Sequence, residues 1–115
     1  MIFSKNDTVA IIDSGIGGVS VLNIIIKKYK AGNYIYFADN EFMPYGNKTK
    51  QQISNRINKI IKYLKDNYNA TKFIIACNTA SSCINSTDSI FCMNFNKKQY
   101  IIMMNFKCEF GKEKL

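Results

Sequence analysis

Three short polar clusters in this 115-residue chain carry side chains able to do chemistry: Asp13-Ser14, the Asp39 to Gly46 loop and Cys77-Asn78-Thr79. Cys77 is the sharpest of them. It ends an apolar run and opens a helix, where free amide groups and the macrodipole favour thiolate. Asn78 and Thr79 beside it offer side-chain donors suited to a carboxylate. Asp13 closes the run Thr8 to Ile12, a costly place for a charge unless the carboxylate is hydrogen-bonded or functional. Ser14 and the glycines Gly15, Gly17 and Gly18 follow, a turn that brings backbone amides close to an anion at a helix start. The chain has no histidine. Imidazole is therefore excluded, and proton chemistry falls to Cys, Asp, Glu, Lys or Tyr.

Each cluster also has an alternative reading. The glycines can serve as a tight strand-to-helix turn with no ligand. They can also belong to a dinucleotide site: position 20 is Ser where G-x-G-x-x-G wants Gly, yet Asp39 lies about where that fold keeps its ribose-binding carboxylate. Cys77 alone, without its neighbours, would be read as a buried structural cysteine. Cys83, Cys92 and Cys108 have no comparable setting and are read as structural. The spacing of the four matches no paired C-x-x-C pattern, so no metal site is expected.

The elements that must position these residues follow from periodicity and punctuation. Thr8 to Ile12 reads as a strand, Val19 to Lys30 as a helix with apolar positions Val21, Leu22, Ile25 and Ile26 stopped by Gly32, and Tyr34 to Ala38 as a second strand closed by Asp39. A polar loop holds the only proline, in Pro44-Tyr45-Gly46. Thr49 and Gln52 then form a capping-box pattern, and Ile53, Ile57, Ile60, Ile61, Leu64 and Tyr68 share one helical stripe. Lys72 to Ala76 is a third strand, Cys77 to Thr79 a turn, and Ala80 to Ile84 the start of another helix. The alternation predicts an α/β fold, a parallel sheet with flanking helices joined by right-handed crossovers. Ligands of such sheets bind at the carboxyl ends of the strands, where all three clusters fall. From Asn85 the pattern fades. Ile90 to Phe95 and Gln99 to Phe106 are strand-like without clear punctuation, so residues 1–84 are expected to form the α/β unit and 85–115 a divergent tail.

Composition narrows the class. One modest domain suits this length and its 47% hydrophobic content. The formal charge of +8 is dispersed: Lys27, Lys28 and Lys30 end one helix, and Lys50, Lys59, Lys62 and Lys65 lie along another, as solvated lysines do. Neither nucleic-acid nor membrane contact is expected. No signal-peptide pattern or membrane-length apolar run is evident, so free thiols in a reducing cytoplasm are expected.

Taken together, Val9-Ala10-Ile11-Ile12-Asp13-Ser14-Gly15-Ile16-Gly17-Gly18-Val19-Ser20-Val21-Leu22, then Tyr36-Phe37-Ala38-Asp39 with Pro44-Tyr45-Gly46-Asn47-Lys48, then Ile74-Ile75-Ala76-Cys77-Asn78-Thr79-Ala80-Ser81 resemble glutamate racemases, in order and in spacing. The resemblance runs from Thr8 to Ser81. It implies a PLP-independent isomerase, with no cofactor, in which one cysteine removes the α-proton of glutamate. A second cysteine protonates the opposite face, supplying D-glutamate for peptidoglycan and so for cell-wall biogenesis and cell shape. By motif, Cys77 is one acid/base and Asp13 assists it. Asp13 and Ser14 contact substrate, Tyr45 and Gly46 bind it from their loop, and Asn78 and Thr79 hold the α-carboxylate. Family members are longer, with two similar α/β domains that can assemble as homo-oligomers and a second cysteine in a Gly-Cys-Thr-His segment. None of Cys83, Cys92 and Cys108 is followed by Thr, so these 115 residues are expected not to racemise glutamate alone. The alternative is a non-catalytic carboxylate- or nucleotide-binding α/β fragment.

Overall fold

The computed structural model describes residues 3–15, 19–28 and 31–92. Gly17, Gly18, Lys30, the stretch Gln99 to Phe106 and Cys108 lie outside the described residues. Four parallel strands form one sheet: β1 (Thr8–Asp13), β2 (Asn33–Ala38), β3 (Lys72–Ile75) and β4 (Ile90–Cys92), in the order β2-β1-β3-β4. Helix α1 (Val19–Lys28) links β1 to β2, α2 (Lys50–Tyr68) links β2 to β3, and a short α3 (Asn78–Ser81) follows β3. The expected α/β class and parallel sheet are therefore present. Within the segment expected to be a divergent tail, Ile90–Cys92 pairs with Phe73–Ile75 as a fourth strand.

Strand β1 is central, and strand geometry sends its alternate side chains to opposite faces. Ala10 and Ile12 join Phe37, Phe73, Ile75 and the buried stripe of α2 in one cluster. Val9 and Ile11 join Ile25 and Ile74 in the other, with Leu22, Tyr34, Tyr36 and Phe91 packed against it. Burial on both faces explains why β1 reads as a continuous apolar run.

The second helix is as its sequence demands. Thr49 and Gln52 close a reciprocal capping box, and Asn69 ends the helix in the left-handed region at φ 56°. Ile53, Ile57, Ile60, Ile61 and Leu64 are buried, each stabilising by roughly 1.5–3 kcal/mol. Tyr68, the last of the expected stripe, is instead exposed. On α1, Ile25 is buried while Ile24 and Ile26 stay exposed, each rotated about 100° from it. Gly32 is required by crowding: a Cβ there would collide with the backbone carbonyl oxygen of Lys5.

Helix α3 differs from its expected range, starting at Asn78 and ending at Ser81. Ser81 Oγ donates to the Ile75 carbonyl (3.0 Å) and Ser82 Oγ to the Thr79 carbonyl (2.7 Å). Such side-chain bonds compete with continuation of the helix.

Candidate active site

The carboxyl edge of the sheet gathers the three polar clusters. Backbone bonds stitch the strand ends together: Asp39 N–H donates to the Asp13 carbonyl (2.8 Å), and Ala76 N–H to the Ile12 carbonyl (2.9 Å). Just beyond, Ser14 Oγ–H donates to Cys77 Sγ at 3.4 Å. That contact joins residues 63 positions apart and brings the first and third clusters into touch. Cys77 stands at the N-cap of α3 in extended backbone. Its side chain is partly exposed and packs against the α2-side core. Asn78 and Thr79 are the first residues of α3, the latter exposed.

Asp13 is 6% exposed. Its Oδ1 accepts the Ser14 amide (2.8 Å) and its Oδ2 accepts the Tyr36 hydroxyl (3.0 Å). The Tyr36 hydroxyl proton is shared with the Gly15 carbonyl, also at 3.0 Å. Tyr36 packs on the α1 side and Cys77 on the α2 side. Ser14 therefore links the carboxylate's turn to the thiol. Tyr36 is adjacent to Phe37-Ala38-Asp39 in the sequence, but nothing there marks it as the partner of Asp13. Its period-two relation to Tyr34 on one face of β2 is the available signal.

The loop after β2 is organised by a different carboxylate. Asp39, 2% exposed, accepts the Tyr45 hydroxyl at 2.7 Å on Oδ2. It also accepts both arms of the Arg56 guanidinium, Nε to Oδ2 at 2.8 Å and Nη2 to Oδ1 at 2.6 Å. Burial, then the hydrogen bond to Asp39 and its negative charge, push the Tyr45 phenol well above its ordinary range, and nearby Cys77 adds to the shift. The Asp39 carboxylate also holds Arg56 more firmly in its charged form. Tyr45 thus turns its ring inward, stacking edge-on against Phe42. Gly46, in the single 3₁₀ turn Tyr45–Asn47, faces open space, with nothing within 4 Å of a Cβ built on it. This turn contacts α3. Arg56 is the only arginine in the chain, and no motif marks it. Its signal is weak: a lone arginine among lysines, between Ile53 and Ile57 on the buried side of α2.

With Tyr45 and Arg56 seated on it, Asp39 is buried and bidentately paired. It offers no open carboxylate edge to a ribose, which removes the feature that favoured a dinucleotide. Among the described residues there is no group of three or more potential metal ligands. Cys83 and Cys92 donate their thiols to the carbonyls of Thr79 and Ile84, both at 3.3 Å.

No protein-family model matches the chain. Among curated proteins it is similar to the glutamate racemase of Buchnera aphidicola subsp. Schizaphis graminum, 53% identical over 72 residues, which is 63% of this chain and 28% of the relative. Glutamate racemase 1 of Caldanaerobacter subterraneus subsp. tengcongensis is 42% identical over 84 residues, 73% of this chain and 31% of the relative. Among solved structures, Escherichia coli glutamate racemase in complex with L-glutamate and the activator UDP-MurNAc-ala superposes with a TM-score of 0.64 at 30% identity, covering 76% of this chain and 35% of that one. The Thermus thermophilus glutamate racemase in complex with beta-chloro-D-alanine gives 0.68 at 25% identity, covering 77% and 37%. The chain thus spans less than a third of the length of these curated relatives. In sequence and fold the chain is similar to part of these glutamate racemases.

Proposed function

We propose that this chain, similar to part of a glutamate racemase in sequence and fold, carries one acid/base half of a cofactor-independent glutamate-racemising site, with Cys77 as the proton-transferring group. The observation that carries the reading is the 3.4 Å contact between Ser14 Oγ and Cys77 Sγ, which sets a partly exposed thiol beside the turn built on Asp13. The Cys77 thiolate takes the α-proton of glutamate. The thiol forms as the Cα–H bond breaks, and the electron pair stays on the substrate as a carbanion. That carbanion is very basic, so the site must stabilise developing charge with fixed donors in a desolvated pocket. Asn78 and Thr79, at the mouth of α3, hold the α-carboxylate. Asp13 orients the Ser14 turn and assists the thiol, and Gly46 admits substrate from the open side of its loop. Tyr45 serves as a wall of the site, its hydroxyl being committed to Asp39.

The second proton, on the opposite face, comes from a Gly-Cys-Thr-His segment of the kind this family carries, which these 115 residues do not include. The product is D-glutamate for peptidoglycan, made in the cytoplasm without nucleic-acid or membrane partners, by an enzyme able to form homo-oligomers. Among the described residues no helix is long and apolar enough to cross a membrane.

The test is incubation of the purified chain with each enantiomer of glutamate in deuterated buffer, followed by NMR and chiral analysis. One enantiomer is expected to exchange its α-proton with retention of configuration, and Cys77→Ser to abolish the exchange. Exchange indifferent to Cys77→Ser would remove the proposed base. Steady appearance of the opposite enantiomer would overturn the single-thiol reading.

A further inference from the structure

We infer that Arg56 is a positioning residue for this site: acting through Asp39 and Tyr45, it fixes the Tyr45–Asn47 turn against α3. The assignment rests on the racemase-type reading of the Cys77 rim. Arg56 reaches the loop through its carboxylate partner. Its guanidinium spends two donors on Asp39, at 2.8 and 2.6 Å, and stacks over the Phe42 ring at 5.3 Å. The Asp39 side chain is 1% exposed and that of Arg56 13%, so neither charge is left to water.

A buried pair of this kind is weak evidence of added stability, because desolvation offsets much of the attraction. What the pair does deliver is geometry. A planar fork fixes the carboxylate plane, which a lysine cannot do. The fixed carboxylate leaves one direction for the Tyr45 hydroxyl, at 2.7 Å. With its phenol anchored, the turn closes through the Lys48 amide donating to the Tyr45 carbonyl at 3.0 Å. The connection from Arg56 thus runs from the buried side of α2 to a turn that touches α3.

Arg56→Lys keeps the charge and loses the fork, and amide hydrogen exchange reads the result locally. The Lys48 amide in the turn is expected to exchange about tenfold faster than in the unaltered chain, while the Ala76 amide, bonded to Ile12 at the sheet edge, stays within about twofold. Protection of Cys77 from alkylation by glutamate is expected to weaken several-fold in the same variant. Should Arg56→Lys fail to fold, the double variant Asp39→Leu/Arg56→Met removes both charges at similar volume and is expected to show the same turn-selective exchange. If turn and sheet amides change together, or neither changes, Arg56 is only a stabilising residue of α2 and the inference is overturned. Absence of glutamate protection in the unaltered chain strikes the racemase reading instead, and the exchange comparison still decides whether Arg56 holds the turn.

Discussion

Asp13 and Asp39 stand one register step apart at the ends of neighbouring strands, and their side chains are held by different partners. Asp13 closes β1 in register with Ala38, Asp39 follows β2, each is nearly inaccessible, and the two are joined through backbone at 2.8 Å. Asp39 lies under α2, gripped by a guanidinium and a phenol, and works as a structural anchor. Asp13 lies toward α1, held by an amide and a phenol, on a turn whose next side chain touches a thiol. A carboxylate at the carboxyl edge of a parallel sheet is thus not in itself a sign of a ligand site. Its partners decide the role.

Substitution is expected to cost most at Asp39. Replacing it with Ala leaves a guanidinium and a phenol buried without their acceptor, and is expected to cost about 3–5 kcal/mol in urea-unfolding free energy. An Asp39→Ala variant within 1 kcal/mol of the parent, by the order of magnitude of a surface change, would remove the structural role. Tyr45→Phe removes one hydrogen bond from the same anchor, for about 1–3 kcal/mol. Because the folded Tyr45 phenol lies above its ordinary value of 10.0, its contribution is fully present below that pH. It is lost as pH rises beyond it, since the unfolded chain releases the proton first. Stability of the parent is expected to fall above about pH 10 more steeply than that of Tyr45→Phe, as followed by circular dichroism.

On the Asp13 side smaller stability effects accompany larger chemical ones. Tyr36→Phe deletes the donor to Asp13 Oδ2 and is expected to cost about 1 kcal/mol while slowing alkylation of Cys77. Tyr34→Phe is the matched control. Its hydroxyl, two residues earlier, accepts the Ala31 amide at 3.0 Å, so Cys77 should react as in the parent. Equal effects of the two substitutions on Cys77 would dissolve the distinction between the carboxylates. Ser14→Ala is expected to shift unfolding free energy by no more than about 0.5 kcal/mol, yet to change the Cys77 alkylation rate roughly two- to fivefold through the lost hydrogen bond.

Much of this arrangement is legible in the residues themselves. The capping box at Thr49 and the stripe Ile53 to Leu64 specify α2 locally, and the strand-end positions of Asp13-Ser14 and Cys77 follow from topology once the strands are recognised. The remainder depends on tertiary contact. Ile90–Cys92 is three residues long and has no period of its own. It is a strand because β3 offers it an edge. Tyr45 reads as a substrate-binding loop residue, and its burial and the bond from its hydroxyl to Asp39 come only with the tertiary fold. Tyr36 and Asp13 meet because strand pleating puts them on one face, a relation that needs the β1–β2 register to be known.

The most direct measurement is quantitative mapping of iodoacetamide labelling at Cys77, Cys83, Cys92 and Cys108 by mass spectrometry near neutral pH, with and without glutamate. Preferential labelling of Cys77, slowed by glutamate and left unslowed by an equal concentration of NAD, is the predicted result. Four thiols labelling alike, or a Cys77 indifferent to glutamate, would contradict the assignment of a substrate-facing proton carrier at the rim of the sheet.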